Sequence, residues 1–366
     1  MTLSTSLLAI NTYHSRFSQP VFFSHDHSCT LKLQAGCRAY LTDYVVGHVI
    51  FTKVLILFLL VETGSHLLNG NKKERMYECS APVLDPGGIK KGKMEDNAAI
   101  LAFDADDDDN INGVTKAGRI IMMVADGHGQ NQGGAETSKI ICQELQKFIN
   151  DNSEKELKKL FFSRLIWHKV YDKLNKMICK TVHPKIKGEY GSTLSTVALG
   201  KNGLVTCANS GDSDVYVFSP GLPLGEPTWR RLTGLHSTSR NHERNRIINC
   251  GGSIQNRRVI IKSPGKVTLI EPTRSLGHLH GPLFGVVHNP ETNHHTLSHK
   301  DVVVAASDGL WNYVKPEDIA YCVRENQGTS VVDLIHIIVS LAINTGGERR
   351  DNLSVALARY TCSAFG

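Results

Sequence analysis

Two kinds of apolar spacing alternate along the chain after residue 88. Short runs rich in Val and Ile, bounded by Gly, Asn or Asp, are typical of β-strands. Apolar residues at helical spacing, such as Ile141, Leu145 and Phe148, predict helices between these runs. The predicted strands lie at 98–103, 120–125, 194–199, 205–208, 215–218, 267–270, 302–306 and 353–358, and the predicted helices at 135–149, 155–178, 241–248, 316–323 and 331–343.

The connections between the predicted strands are short, as in the LGKNG turn at 199–203. Short turns join antiparallel strands, whereas parallel strands need a long crossover. The pattern therefore predicts an α+β fold in which antiparallel sheet is covered by a few long helices. The sequence contains no internal repeat.

The first 87 residues differ from the rest of the chain. Residues 54–61 (VLILFLLV) form an uninterrupted apolar run preceded by Lys53, shorter than the about 20 residues that a spanning helix needs. Three interpretations stay open: a secretory signal at an unusual distance from Met1, a short membrane anchor, and a helix packed on the main domain. We therefore expect an N-terminal extension over 1–87 and one large domain over 88–366.

The same segment bears on localisation. Residues 45–66 suggest the secretory route or membrane association, and the extension is the one part of the chain expected to contact a membrane. Two basic clusters, NKKER at 71–75 and KKGK at 90–93, are compatible with a nuclear address, and solvated lysines explain them equally well. A cytoplasmic or nuclear protein is the alternative.

Composition narrows the class of protein. With 366 residues, 41% hydrophobic and 21% charged, the chain is globular, which excludes collagen-like and wholly disordered classes. A net charge of +6 is too mild to indicate nucleic acid as a partner. Nine scattered cysteines without a CxxC pair indicate reduced thiols. Residues 104–119 begin with EF-hand spacing, but Arg119 stands where the loop needs a glutamate, so an acidic hairpin loop is favoured.

Carboxylates stand where four of the predicted apolar strands begin or end. The segments are KMEDN at 93–97, VADGHGQ at 124–130, ASDGLW at 306–311 and RRDNLS at 349–354. Any one of these acids alone is most simply a turn or helix-cap residue. If all four converge at one sheet edge, they repel unless protons or cations bridge them. Oxygen-only donors suit Mg²⁺ or Mn²⁺, and two such ions about 3.5–4 Å apart support phosphoryl chemistry.

Nine short segments, in this order along the chain, carry a family resemblance. They are MED at 94–96, DGHG at 126–129, GST at 191–193, ANSGDS at 208–213, ERNRI at 243–247, GG at 251–252, RSLG at 274–277, ASDGLW at 306–311 and DN at 351–352. Because it carries these segments in this order, the chain resembles a divergent member of the metal-dependent Ser/Thr protein phosphatases of type 2C. The resemblance covers roughly residues 88–360 and implies two antiparallel β-sheets sandwiched between layers of helices.

The resemblance also implies a centre for two Mg²⁺ or Mn²⁺ ions. Glu95 and Asp126 would be ligands, with Asp126 bridging both ions and the Gly127 carbonyl coordinating the first metal directly or through water. Asp308 and Asp351 would complete the second site. A metal-bridging water would then attack the phosphorus of phosphoserine or phosphothreonine in line.

Further roles follow from the same resemblance. His128 matches the histidine that protonates the leaving alkoxide, a role that suits an imidazole near neutral pH. Lys91 stands where relatives carry an arginine that binds the substrate phosphate. Asp212 and Asn312 fall at positions of a weaker third metal site. Phosphorylated proteins are the implied partners of a monomeric enzyme.

Several positions depart from the family pattern. A lysine at 91 keeps the charge but loses the bidentate fork of arginine, and Asn312 replaces an aspartate at the third metal site. The remaining departures are Gln130 for glycine, Asp214 for arginine, and Leu235 and His278 for two acids. Two functions stay open: an active phosphatase, which the intact four carboxylates favour, and a weakly active or inactive scaffold that binds phosphoproteins or regulatory partners.

Overall fold

A computed structural model describes residues 76–88, 93–105, 110–129, 132–221 and 226–361. The apolar run 54–61, the basic cluster 71–75 and Lys91 lie outside the described residues. Within the described ranges no helix is long and apolar enough to span a membrane. Residues 73–366 form one compact unit, and all the elements below belong to it.

The described residues of this unit include seventeen strands and seven α-helices. The strands are β1 (Tyr77–Cys79), β2 (Val83–Asp85), β3 (Asp96–Phe103), β4 (Asn110–Ile111), β5 (Val114–Ala117), β6 (Arg119–Gly129), β7 (Tyr190–Ser192), β8 (Leu194–Leu199), β9 (Leu204–Ser210), β10 (Asp214–Ser219), β11 (Thr228–Arg231), β12 (Ser253–Gln255), β13 (Arg258–Ser263), β14 (Lys266–Ile270), β15 (Glu291–Thr296), β16 (Val302–Ala306) and β17 (Leu353–Tyr360). The helices are α1 (Gly133–Asp151), α2 (Glu154–Phe162), α3 (Arg164–Thr181), α4 (Asn241–Asn249), α5 (Asp308–Trp311), α6 (Pro316–Glu325) and α7 (Val331–Gly346).

The strands form two large sheets and one small one. The eight-stranded sheet has the order β11-β10-β16-β17-β1-β5-β4, with β2 also pairing with β17. The six-stranded sheet has the order β15-β9-β8-β6-β3, with β7 pairing with the end of β6. The three-stranded sheet has the order β12-β13-β14. All pairings between these strands are antiparallel, as the short predicted turns require.

Strand β6 shows how the layers stack. Ile121 and Met123 pack with apolar residues of α1, α2 and α3, whereas Met122 and Val124 pack between the two large sheets. This alternation is the period-two pattern of a strand buried on both faces. A third core lies between the eight-stranded sheet and α5, α6 and α7. The order is therefore helices, sheet, sheet, helices, which confirms the predicted fold class.

The predicted helix at 155–178 is wrong in one respect, because the chain breaks at Ser163 into α2 and α3. Ser163 is extended, with φ −114° and ψ 114°. The break lets Phe161 and Trp167 both reach the core beside the six-stranded sheet, with the Trp167 indole donating to the Leu160 carbonyl at 2.9 Å. A continuous helix would lose this turn.

The hairpin predicted within 104–119 is confirmed, since β4 pairs with β5 across Asn112-Gly113. Both turn residues have positive φ, 53° and 78°, which Asn and Gly tolerate better than other residues. Residues 106–109 lie outside the described residues. The six cysteines that the structure describes are free thiols, in agreement with the prediction.

The eight-stranded sheet includes residues before the boundary predicted at 88. Strands β1 and β2 both pair with β17, at Tyr77 opposite Tyr360 and at Asp85 opposite Leu353. Residues 86–88 (Pro-Gly-Gly) follow β2 directly inside the fold, and the Gly88 N–H donates to the Arg350 carbonyl at 3.0 Å. Gly87 has φ 61° and lies so close to the Asp351 carbonyl that a Cβ atom would overlap it.

Tyr77 provides a test of whether the first strand belongs to the core. Its side chain is fully buried, and its hydroxyl donates to the Gly200 carbonyl at 2.6 Å. Tyr77→Phe is expected to lower the free energy of unfolding in urea by about 1 kcal/mol through loss of this bond. Tyr77→Ala should lower it by about 3–5 kcal/mol, because a cavity replaces the ring.

The control is Leu84→Ala in β2, since Leu84 is 43% exposed and should change the same quantity by less than about 1 kcal/mol. Tyr77→Ala with wild-type stability would show that residues 77–79 do not contribute to the core.

Candidate active site

Strands β3 and β6 bring the first two acidic segments side by side. Asp96 lies opposite Asp126 in the register of the two strands, which puts Glu95 beside Gly127. The Glu95 carbonyl accepts hydrogen bonds from the Gly127 N–H at 3.2 Å and from the hydroxyl of Ser138 in α1 at 2.5 Å. These bonds hold Glu95 next to Asp126, as the sequence predicts.

Thr193 holds the backbone of Asp126 from the other side. Its N–H donates to the Asp126 carbonyl at 2.9 Å, and its hydroxyl accepts from the Asp126 N–H at 3.0 Å. Thr193 is the last residue of the GST segment, and no role for it is predicted above. Its position explains why a small residue with a hydroxyl stands there.

Asn352 joins the last acidic segment to the first. Its side chain is buried, and its amide oxygen accepts from the Glu95 N–H at 2.7 Å. Its amide nitrogen donates to the carbonyls of Pro86 at 2.6 Å and Lys93 at 2.8 Å. Its own N–H donates to the Asp351 carboxylate at 2.6 Å. Asn352 therefore fixes Asp351 beside Glu95, a role the sequence did not reveal.

A pair of serines places Asp308 at the same edge. The Ser307 N–H donates to the Ser354 carbonyl, and the Ser354 N–H donates to the Ser307 hydroxyl, both at 3.0 Å. The Ser354 hydroxyl donates to the Asp96 carboxylate at 3.1 Å. The start of α5 thus lies against the start of β17, and Asp308 follows Ser307 directly.

Two glycines let α1 approach the end of β6. A Cβ atom on Gly127 would overlap the Gly134 carbonyl, and one on Gly134 would lie 2.5 Å from the His128 nitrogen. Gly134 therefore permits the close approach of α1 in this chain, in which Gln130 stands where the family has a glycine. Gln130 itself lies outside the described residues.

Asp212 and Asn312, the two residues predicted for a third metal site, both lie near Asp308. The Asn312 amide donates to the Asp308 carboxylate at 3.1 Å. Burial and the nearby Asp308 carboxylate raise the pKa of Asp212 well above its usual range. This crowding of negative charge is the condition that a divalent cation relieves. Carboxylate and carbonyl oxygens are also the donors that Mg²⁺ and Mn²⁺ prefer, so the residues present fit such ions.

His128 lies two residues beyond Asp126 on β6, opposite Gly191 of β7. Its Nε2 is within hydrogen-bond distance of Ser275 Oγ and of His278 Nε2, each at 3.0 Å. Lys91 lies outside the described residues. A surface cavity of about 590 Å³ adjoins Glu95, and Lys93 and Lys139 also line it.

Asp214, which stands where the family pattern has an arginine, has a structural role. Its carboxylate accepts from Arg231 Nε at 3.0 Å and from the Thr233 hydroxyl at 2.8 Å. Asp214 is buried, and Arg231 comes from the neighbouring strand β11. An acid at 214 therefore ties β10 to β11 rather than contacting the acidic site.

A second group of acids lies outside the site, where Glu243 and Glu291 meet His236. Arginine side chains form ion pairs with these carboxylates. Arg246 and Arg274 pair with Glu243, and Arg240 pairs with Glu291 at 3.0 Å. Because the guanidinium groups already supply the positive charge, this cluster is an ion-pair network that anchors α4 to the segment before β15.

The comparisons with known proteins agree with this geometry. The sequence profile of protein phosphatase 2C matches residues 96–348, so Glu95 and Asp351 lie just outside the match. Probable protein phosphatase 2C 2 of Arabidopsis thaliana is 25% identical over 75% of this chain and 67% of its own length. Protein phosphatase 1K, mitochondrial, of Xenopus laevis is 26% identical over 63% of this chain and 58% of its own length.

Solved structures share the fold. The serine/threonine phosphatase of S. agalactiae superposes with a TM-score of 0.55 at 23% identity, over 78% of this chain and 100% of that one. The serine-threonine phosphatase 2C of Toxoplasma gondii gives 0.59 at 19% identity, over 78% and 95%. The catalytic domain of PstP, solved with two manganese ions, gives 0.51 at 20% identity, over 78% and 100%.

The profile match covers more than half of the chain, and the chain belongs to the protein phosphatase 2C family. Its members in these comparisons are phosphoprotein phosphatases. The chain spans about three-fifths of the length of Xenopus protein phosphatase 1K.

The ion-pair network gives a prediction about pH. His236, whose Nε2 lies 3.5 Å from the carboxylate, and a hydrogen bond from Arg240 lower the pKa of Glu291 to about 2. Burial lowers the pKa of His236 and favours its neutral form, whose Nδ1 accepts from the Gly211 N–H, so Nε2 bears the proton that faces Glu291. A carboxylate whose pKa is lower in the folded state stabilises the fold above its unfolded pKa, about 4.3, and loses this effect as pH falls towards 2.

The free energy of unfolding, measured by urea titration of metal-free protein at pH 7 and pH 3, should therefore fall less in Glu291→Gln than in the wild type. The exposed Glu325→Gln is the charge-matched control. Equal losses in the wild type and Glu291→Gln would contradict the prediction.

Proposed function

We propose that the chain is a metal-dependent protein phosphatase that hydrolyses phosphoserine and phosphothreonine in phosphoproteins. The observation that carries the proposal is the network of Asn352, Thr193 and Ser354, which gathers carboxylates from four distant segments at one edge of the two sheets. Family membership supports the same reaction class. The mild net charge of +6 does not by itself indicate nucleic acid as a partner, and we propose that the enzyme acts as a monomer on phosphorylated proteins.

Two groups of oxygen donors would hold the metal ions. Glu95, Asp126 and the Gly127 carbonyl would hold one ion, and Asp126, Asp308 and Asp351 the other. When bound, Mg²⁺ or Mn²⁺ ions supply positive charge for the phosphoryl oxygens and lower the pKa of water. Asp212 would contribute to a third site, and that site would bind weakly because the amide of Asn312 contributes no charge there.

The leaving group defines the work of His128. Release of a serine or threonine side chain produces an alkoxide, which is a poor leaving group unless a proton reaches its oxygen. His128 is two residues from Asp126 on the same strand, so it is placed at the edge where the phosphate would bind. We assign it the role of proton donor.

Cationic side chains would bind the phosphopeptide. We retain Lys91 as the residue that contacts the phosphate, and a lysine there acts as a point charge without the two-pronged geometry of arginine. Lys93 and Lys139 line the cavity beside Glu95 and would bind the phosphate or acidic residues of the peptide. The absence of the arginine fork at position 91 predicts a higher KM rather than loss of chemistry.

The proposal is tested with a phosphothreonine peptide and Mn²⁺, with release of inorganic phosphate as the measurement. Asp126→Asn and chelation with EDTA should each lower kcat/KM by at least about 100-fold, because the charge that stabilises the transition state is lost. Asp318→Asn, an exposed acid in α6, is the matched control and should keep wild-type activity.

A binding measurement separates the metal from the chemistry. Mn²⁺ should raise the melting temperature of the wild type and of Asp318→Asn, and have a much smaller effect on Asp126→Asn. Turnover that survives EDTA or Asp126→Asn would contradict the metal-dependent mechanism. No turnover in the wild type, together with retained binding of the phosphopeptide, would support the scaffold function that Asn312 and Lys91 favour.

We further propose that residues 45–66 direct the chain to the secretory route or a membrane. The apolar run 54–61 is the support for this, with small and polar residues following it. N-terminal sequencing of protein purified from its native cells should find a start at about residues 62–66 if the segment is cleaved as a signal. An intact Met1 would contradict cleavage and favour an anchor or a cytoplasmic or nuclear protein.

A further inference from the structure

His128 is the first of three polar side chains in hydrogen-bond contact, followed by His278 and Glu189. His128 Nε2 lies 3.0 Å from His278 Nε2, with the ring planes tilted by 28° and the ring centroids 5.2 Å apart. His278 Nδ1 lies 3.4 Å from the carboxylate of Glu189. His278 and Glu189 are both buried. A carboxylate and two imidazoles therefore form a chain that ends at the proposed proton donor.

The hydrogen-bond directions in this chain can be assigned from chemistry. A carboxylate only accepts, so His278 Nδ1 bears a proton and donates it to Glu189. In the tautomer with its proton on Nδ1, His278 Nε2 is an acceptor, and His128 Nε2–H donates to it. The Ser275 hydroxyl can donate to the Ser192 carbonyl at 3.2 Å, which leaves its oxygen to accept from the same His128 Nε2–H.

The charge of Glu189 is held by more than one donor. Burial alone would raise the pKa of Glu189, but hydrogen bonds from His278 and His280 outweigh it and lower the pKa below its usual range. His280 binds Glu189 through its ring Nδ1 and through its backbone N–H, the latter at 3.2 Å. Glu189 is therefore a fixed acceptor for the His278 ring.

The space around His278 is built by glycine. A Cβ atom on Gly191 would lie 2.7 Å from His278 Nε2 and 2.7 Å from Ser275 Oγ. A Cβ atom on Gly281 would lie 2.6 Å from the Cβ of His278. Gly191 is the first residue of the GST segment and faces His128 across the β6–β7 pair. A larger residue at 191 would push the His278 ring away from His128.

We propose that His278, held by Glu189, is a positioning residue that fixes the ring orientation and the tautomer of His128. The Nε2–H of His128 is thereby committed to His278 and Ser275, which leaves Nδ1 as the ring nitrogen from which a proton can pass to the leaving oxygen and give a serine or threonine hydroxyl. This inference rests on the proposed phosphatase function, and it gives a use to the histidine at position 278, where the family resemblance leads one to expect an acid.

The role predicts a dependence on the leaving group. A phosphothreonine peptide loses an alkoxide and needs a proton, whereas p-nitrophenyl phosphate loses a stabilised phenolate and does not. His278→Gln and His278→Ala should lower kcat for the peptide by about 10- to 100-fold with little change in KM. The same variants should change kcat for p-nitrophenyl phosphate by less than about threefold. Gly191→Ala should reproduce this pattern if its melting curve shows that it folds.

Two further variants complete the kinetic test. In a His128→Gln background, His278→Gln should have no further effect on the peptide reaction, because its action passes through His128. His288→Gln is the matched control, since His288 faces Asp172 at 3.4 Å in a histidine–carboxylate pair separate from Glu189. It should keep wild-type kcat on both substrates.

A spectroscopic measurement needs no turnover. In full-length, metal-free protein labelled with ¹⁵N-histidine, the ring nitrogen shifts of His128 should show a single Nε2–H tautomer. In His278→Ala the two tautomers should mix. Equal losses on both substrates, or an unchanged His128 tautomer in His278→Ala, would overturn the proposal. A wild type that hydrolyses neither substrate would instead overturn the phosphatase function, and the NMR result would still decide the role of His278.

Discussion

Like-charged carboxylates have to be held together at one edge of two sheets before any cation can bind there, and the rest of the site depends on how this repulsion is overcome. Neutral side chains hold the acidic segments together. Asn352, Thr193 and Ser354 are all buried, and each bonds to the backbone or side chain of a neighbouring acidic segment. The carboxylates are thus positioned by a frame of side chains that carries no charge of its own.

Strand β6 connects this frame to the two cores. Its residues 120–125 alternate between the core under the helices and the core between the sheets, and the next residues carry Asp126 and His128. Packing on both faces restrains the strand, so the acid and the histidine are presented on a rigid element rather than on a loop. The approach of α1 at Gly127 adds a third restraint at the end of the strand.

Much of this could be predicted from the sequence, because strand and helix periodicity is local. All eight predicted strands are present, and the four acids were recognised from their places at strand ends. The break at Ser163 was missed because α2 and α3 have compatible apolar spacing, and only tertiary packing separates them. Glu189 and Asn352 were missed for another reason: their roles consist of contacts with residues distant along the chain, and a single sequence does not reveal such pairs.

The position of Asn352 has a consequence for folding during synthesis. It bonds to Glu95, 257 positions earlier in the chain, and the strand that follows it lies beside β1, at the other end of the described fold. During synthesis the ribosome releases the N-terminal part first. In the nascent chain the pairing of β3 with β6 can bring Glu95 beside Asp126, but Asp351 and Asn352 join them only after residues 351–352 have emerged. A chain that stops before residue 352 lacks the side chain that links Asp351 to the Glu95 segment.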